Sequence, residues 1–263
     1  MRYVAFLDIL GFKETLKNLE HNEAIKYIKD FASIVYNKFT RIESDLNIKG
    51  YIFSDSIILY TKDSKNESLI ALINLIRDIC RAEFEVNKVL LRGGLTRGAF
   101  DKVPASELDA LEKGLIVGTA FVDAYILESS AKVIGITISD DVKDDMFRNN
   151  IYSNFNNLLN YVDIDFLFKN NNLREFIKLA FNSNWLPHYY NTLYFAIKNE
   201  HNSNKVEKLF SEIKKILEPL DSNRDLVRTF FQKGFSENVE EDFKSILQKY
   251  FYLHLFLDLI LLY

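Results

Sequence analysis

The sequence predicts an α+β fold, a mostly antiparallel sheet with covering helices, followed by a mainly helical C-terminal region. Three features predict it. Short apolar runs, too brief for buried helices, alternate with longer stretches whose apolar residues recur every three or four positions. Two of the short runs, GYIF and IILYT, are separated only by Ser54, Asp55 and Ser56, as in a hairpin. Eight of the nine glycines precede residue 136, whereas residues 149 to 263 are rich in Asn, Phe, Tyr and Lys and keep only Gly234. The chain therefore changes character near Phe147, and two regions follow: a sheet-containing domain at 1–147 and a mainly helical region at 148–263 packed on it.

The elements follow in order. RYVAFLDI is an apolar run bounded by Gly11 and reads as a buried strand. NEAIKYIKDFASIVYNKFTRIESDL sets Ile25, Ile28, Phe31, Ile34, Val35, Phe39 and Ile42 on one helical stripe that covers a sheet. The hairpin has an acidic tip at Asp55. ESLIALINLIRDICRAEFE is a second helix, and VLLRGGLTRGAF is a strand whose paired glycines mark a bend or a close approach of another backbone. Residues 101–113 read as a loop or extended arm. GTAFVDAYILESSA has the small-residue start and periodicity of a helix, and KVIGITIS closes the sheet. Alternation around one hairpin implies a ferredoxin-like layer structure with helices on one face of the sheet. Farther on, NKVEKLFSEIKKILEPL and EEDFKSILQKYFYLHLFL show helical spacing.

Composition removes several functions. A formal net charge of -4 argues against a nucleic-acid binder, which needs a basic excess to neutralise phosphates. A single cysteine, Cys80, lies within an apolar helix and reads as a buried small hydrophobe. The start of the chain lacks the basic stretch, apolar run and cleavage site of a secretory signal, which predicts a cytoplasmic protein. The apolar run 250–263 falls short of the roughly 20 residues needed to span a bilayer and reads as a core or interface helix. His21, His188, His201 and His254 show no metal-ligand spacing, and no phosphate-binding glycine fingerprint occurs. The aromatic cluster WLPHYYNTLYF at 185–195 reads as core.

Asp8 and Asp55 carry the chemistry. Singly, Asp8 is a strand-ending cap and Asp55 a turn residue. In the inferred sheet, however, the first strand and the hairpin are neighbours, and both carboxylates emerge at the same end. Hard oxygen ligands suit Mg²⁺ or Mn²⁺, which binds through one or two carboxylates plus waters and substrate phosphates. Phosphoryl transfer at two metals about 4 Å apart uses such a pair.

The segment after the first strand resembles the signature of the class III nucleotidyl cyclases, in which a strand ends in Asp-Ile-x-Gly-Phe. Three further motifs follow in register. YIFSDSIIL resembles their second metal-site hairpin, with Ser54-Asp55 for the usual Gly-Asp. LLRGGLTRG is similar to their Arg-x-Gly-Ile-x-x-Gly strand. GTAFVDAYILESSAKVIGITIS resembles the late helix and strand, with Ala124, Leu127 and Ala131 in matching places. The resemblance spans residues 3–139. It implies two Mg²⁺ or Mn²⁺ ions per site on Asp8, Ile9 and Asp55, and a phosphate-facing turn of Ile9, Leu10, Gly11 and Phe12. It also implies attack of a ribose 3′ oxygen on the α-phosphorus with loss of pyrophosphate, in a homodimer whose active sites lie at the interface.

Departures from the family pattern are informative. The late-helix Asn and Arg of the purine cyclases are replaced by Val122 and Ile126, so another cation is needed, with Arg97, Arg92 and Lys13 as candidates. The base-recognition Lys of adenylyl cyclases is Tyr51 here, and its Asp partner is Leu115. The combination looks most like the pyrimidine cyclases of bacterial Pycsar anti-phage systems. That implies UTP or CTP as substrate, cyclic UMP or cyclic CMP as product, and a separate cyclic-nucleotide effector reached only indirectly. The alternative is a catalytically inactive cyclase-like module that binds a nucleotide or a partner.

Overall fold

A computed structural model describes residues 1–40, 48–103, 115–151, 157–182 and 185–217. The helix predicted in EEDFKSILQKYFYLHLFL, the apolar run 250–263 and Ile42 lie outside the described residues. The chain divides into two compact units, Met1–Ala131 with Gly135–Tyr161, and Lys132–Ile134 with the segment that begins at Val162.

In the first unit the order is β1 (Arg2–Ile9), α1 (Phe12–Lys17), α2 (His21–Thr40), β2 (Ile48–Phe53), β3 (Ser56–Thr61), α3 (Asn66–Asn87) and β4 (Leu91–Gly98). Then come β5 (Asp101–Val103), β6 (Leu115–Val117), α4 (Thr119–Ser130), β7 (Ile136–Ile138), α5 (Asp140–Arg148) and β8 (Leu158–Leu159). Six strands form one sheet in the order β2-β3-β1-β4-β7-β8, antiparallel at each pairing except β4 with β7. The mixed α+β, mostly antiparallel architecture expected from the sequence is what the chain adopts. Within it β1, α2, β2, β3, α3 and β4 form a split βαβ arrangement, because β1 lies between the two strands that flank it. The arm predicted at 101–113 has a two-stranded base, β5 paired with β6.

Side chains alternate between the faces of the sheet. One face carries Leu7, Ile57, Leu59 and Leu95, all buried, and receives α2: a Cβ on Gly50 would meet the side chains of both Leu59 and Phe39. Phe31 and Val35 of the predicted stripe are buried, whereas Ile25, near the start of α2, is exposed. The other face carries Val4, Phe6, Ile58 and Tyr60, which pack with Phe100, Ala120 and Ala124. Helices therefore do not cover one face only, as the alternation suggested: α4 lies on the face opposite α2. Gly94 permits this, since a Cβ there would stand 2.0 Å from the Ala124 carbonyl oxygen. Thr96 Oγ1 donates to the Ala120 carbonyl at 2.6 Å, fixing the start of the helix.

The second unit contains α6 (Ile164–Leu167), α7 (Asn172–Asn182), α8 (Leu186–Lys198) and α9 (Ser203–Leu217) among the described residues. Tyr189, Leu193 and Tyr194 of the aromatic cluster are buried, so these residues of the cluster are core. Thr192 Oγ1 accepts from the Ile134 N–H at 2.8 Å, tying the short segment Lys132–Ile134 to α8.

One buried charge makes the fold sensitive to pH. Glu83 on α3 is fully buried, with Oε2 accepting from Asn87 Nδ2 at 2.9 Å and Oε1 without a hydrogen-bond partner among the described residues. Burial pushes its pKa up to about 8. The folded chain thus holds a proton that the unfolded chain releases near pH 4.5, and stability falls as pH rises from there toward 8. Glu83→Gln keeps the acceptor and removes the charge. It is expected to raise stability by roughly 2–4 kcal/mol at pH 8.5 and to change little at pH 4, as read from urea unfolding at the two pH values.

Candidate active site

Asp8 is the penultimate residue of β1, directly opposite Ser56 on β3 and Arg92 on β4. Strands pack on both sides of β1, which fixes the direction of its side chains. Asp55 lies in the β2–β3 turn beside Ser54, which adopts a left-handed backbone with φ 56°. The Ile9 N–H donates to the Asp55 carbonyl at 3.2 Å and so stitches that turn to the end of β1. The structure thereby brings Asp8 and Asp55 together.

The electrostatics are those of an unneutralised pair. Burial pushes the Asp8 carboxyl up to about 7, and the charges of Asp55 and Glu128 push in the same direction. Ser56 Oγ, donating to Asp8 Oδ1 at 3.1 Å, and Arg92 act the other way without cancelling the effect. A buried carboxyl pushed up by a neighbouring carboxylate, as Asp8 is, marks a place where a divalent cation would relieve the crowded negative charge. No group of three or more His, Cys, Asp or Glu among the described residues could hold a metal. The donor set is thus two carboxylates, which fits Mg²⁺ or Mn²⁺ completed by water and substrate oxygens better than an all-protein cage. The Ile9 side chain is buried, so Ile9 can contribute only its backbone carbonyl.

The turn after β1 differs in one respect from the expectation. The Ile9 N–H goes to Asp55 and the Leu10 N–H to the Leu90 carbonyl at 2.9 Å. Donors that can face a phosphate therefore begin at Gly11, whose left-handed backbone (φ 76°) turns the chain into α1. Phe12 opens α1 and stacks on Tyr27, with ring centroids 6.4 Å apart. Lys13, next on α1, is exposed.

The cation candidates separate. Arg92 is on the Asp8 face: its Nη2 is 4.0 Å from Asp8 Oδ2 and its Nε 2.7 Å from Glu128 Oε1. Arg97 is on the other face, where Nη1 lies 2.7 Å from Asp145 Oδ2 and Nη2 4.0 Å from Asp141. The Tyr3 hydroxyl donates to the same Asp145 oxygen at 2.8 Å, and burial with that carboxylate pushes the phenol up to about 12. The structure does not bring Arg97 to the carboxylate pair.

Tyr51 lies on the Asp8 face, opposite Ile58, and stacks on Tyr60 with centroids 6.0 Å apart. Lys102 Nζ stands 5.9 Å from the Tyr51 ring centroid. Val122 and Ile126 are 52% and 53% exposed on α4, so neither place is filled by a packing role. Two residues escaped the sequence reading. Ser56 was visible as the residue after Asp55 in the tip. Glu128 stood on α4 four residues after Ala124, a spacing that puts it on the sheet-facing side.

Fold and site together define an α+β protein with two carboxylates at one end of its sheet. The sequence matches no protein-family model and no curated protein. Among solved structures, the chain is similar to the adenylyl cyclase CyaB from P. aeruginosa, with 16% identity and a TM-score of 0.47 over 56% of this chain and 80% of that one. It is similar to the guanylate cyclase domain of RhGC from Catenaria anguillulae, solved with GTP, with 16% identity and a TM-score of 0.45 over 55% and 81%. A third is the monomeric guanylyl cyclase domain of the RhoGC fusion protein from the aquatic fungus Blastocladiella emersonii, with 16% identity and a TM-score of 0.44 over 56% and 85%.

Proposed function

We propose that this chain is a metal-dependent nucleotide cyclase that converts UTP or CTP into the 3′,5′-cyclic monophosphate and pyrophosphate. The observation that carries the reading is the meeting of Asp8 and Asp55 at the end of β1, beside the Gly11 turn, within the four-motif sequence resemblance. Asp8, Asp55 and the Ile9 carbonyl would hold Mg²⁺ or Mn²⁺, whose charge makes the ribose 3′-hydroxyl more acidic and neutralises the triphosphate. The chain's own residues position the reactants. Backbone donors from Gly11 onward, with Lys13, face the phosphates, and Arg92 keeps a positive charge on the same face. The 3′-hydroxyl gives its proton to solvent water and its oxygen bonds to the α-phosphorus as the bond to the pyrophosphate oxygen breaks, so catalysis rests on positioning and charge neutralisation.

Tyr51 at the base-recognition place supports a pyrimidine, which hydrogen-bonds or stacks on a phenol without the Lys–Asp pair used for adenine. The exposed apolar residues Val122, Tyr125 and Ile126 on α4, together with Phe53, 79% exposed in β2, support a homodimer seated on the Asp8 face. Within the Pycsar resemblance, the product is a second messenger in cytoplasmic anti-phage defence. No described helix is long and apolar enough to cross a membrane.

The test is incubation of the purified chain with each of the four NTPs and Mn²⁺, with products read by mass spectrometry. Cyclic UMP or cyclic CMP with pyrophosphate is expected. No cyclic product from any of the four, with the dimer confirmed, overturns the proposal. The exposed Val122 and Ile126, where the purine cyclases carry Asn and Arg, favour a second reading, a module that binds nucleotide without turnover. Metal-independent binding would select it.

A further inference from the structure

Arg92 is directly opposite Asp8 across an antiparallel pair, and side chains so placed meet. Left to themselves they would form a close ion pair that competes with any cation for the Asp8 oxygens. The structure shows a different division. The guanidinium lies 2.7 Å from Glu128 through Nε, while its Nη2 stands 4.0 Å from Asp8.

Glu128 reaches Arg92 because α4 is pressed on β4 where Ala124, one helical turn before Glu128, meets Gly94. Its side chain is 4% exposed and that of Arg92 17%. A carboxylate this buried is costly to keep unless it is paired, and a buried pair is a poor source of stability by itself. Its presence beside the site calls for another account.

We propose that Glu128 is a positioning residue: its carboxylate draws the Arg92 guanidinium off Asp8, leaving Asp8 to a divalent cation while a positive charge stays beside the site for the polyphosphate. This rests on the reading of Asp8 and Asp55 as a cation site. Removing Glu128 lets Arg92 collapse onto Asp8. Cation binding then weakens, and it does so only while Arg92 is present.

The experiment is a double-mutant cycle read in Mn²⁺ binding, with free Mn²⁺ followed by electron paramagnetic resonance on the full chain without nucleotide. Glu128→Gln is expected to weaken Mn²⁺ binding on the order of tenfold, the usual scale for residues that orient a ligand. In an Arg92→Gln background the same change is expected to alter binding less than about twofold, because the competitor is gone. Glu128→Asp keeps the charge but withdraws the carboxylate by one methylene, and is expected to weaken Mn²⁺ binding as well. It also stands in for Glu128→Gln if that variant does not fold by circular dichroism. Equal effects of Glu128→Gln in both backgrounds, or wild-type binding by Glu128→Asp, overturn the inference alone. Wild-type chain that binds no Mn²⁺, or whose binding is unchanged by Asp55→Asn, overturns the reading of the site and the inference with it.

Discussion

Asp8→Asn is expected to abolish cyclic nucleotide formation and, in metal-free buffer at pH 8, to raise the melting temperature. The two effects have one cause. Burial, with Asp55 and Glu128, pushes the Asp8 carboxyl up to about 7 from an ordinary 3.8. A raised carboxyl contributes stability below its unfolded value and loses it as pH climbs from 3.8 to 7. At pH 8 the charged Asp8 is thus a liability to the fold, and an amide of the same shape relieves it by about 1–3 kcal/mol. Under the proposed function, in which Asp8 holds the reacting metals, its loss removes turnover. Asp55→Asn is expected to lose turnover to the same extent. A variant that lost stability along with activity would make Asp8 a capping residue. Turnover lost from a firmer fold identifies a functional carboxylate.

Gly94→Ala is the substitution expected to damage the fold most. The added Cβ would stand 2.0 Å from the Ala124 carbonyl oxygen and 2.9 Å from the Leu127 Cβ, so the backbone of α4 has to move. Overpacking against backbone costs roughly 3 kcal/mol or more, and the shift also withdraws Glu128 from Arg92. Gly98→Ala serves as the control on the same strand face. Its nearest neighbours are the Thr119 Oγ1 at 3.1 Å and the Ala120 Cβ at 3.2 Å, so it is expected to cost clearly less. Urea unfolding of the two variants measures the difference.

These expectations draw on features with very different visibility in the sequence. Tyr3 to Leu7 form an unbroken apolar run because β1 is central in the sheet and buried on both faces, so the strand and the carboxylate near its end were legible. The hairpin was legible because only a turn separates its strands. The glycine pair announced a close approach, and the Ala124 backbone at Gly94 is that approach. The division of the arginines was also available. Arg92 and Arg97 are an odd number of residues apart, and on a strand that sends their side chains to opposite faces. What the sequence could not show was which side α4 would take, because its apolar residues ring the helix without one strong face. The Glu128–Arg92 contact depends on that choice, and so it emerged only in three dimensions. Phe12 read as the end of a turn, whereas it opens the six-residue helix Phe12–Lys17.

The position of β1 also sets an order of events. It precedes β3 and β4 in the chain yet lies between them in the sheet. A ribosome therefore delivers the strand carrying Asp8 well before either neighbour that must hold it. Asp8 meets Ser56 and Asp55 once the hairpin has emerged, and Arg92 only when β4 follows. Long-range pairings of this kind form slowly and leave unpaired strand edges exposed meanwhile. A nascent chain arrested short of Leu91 would carry both carboxylates but only one wall of the site. The strand that carries Asp8 is made before both of its neighbours and is held on both sides only after β4.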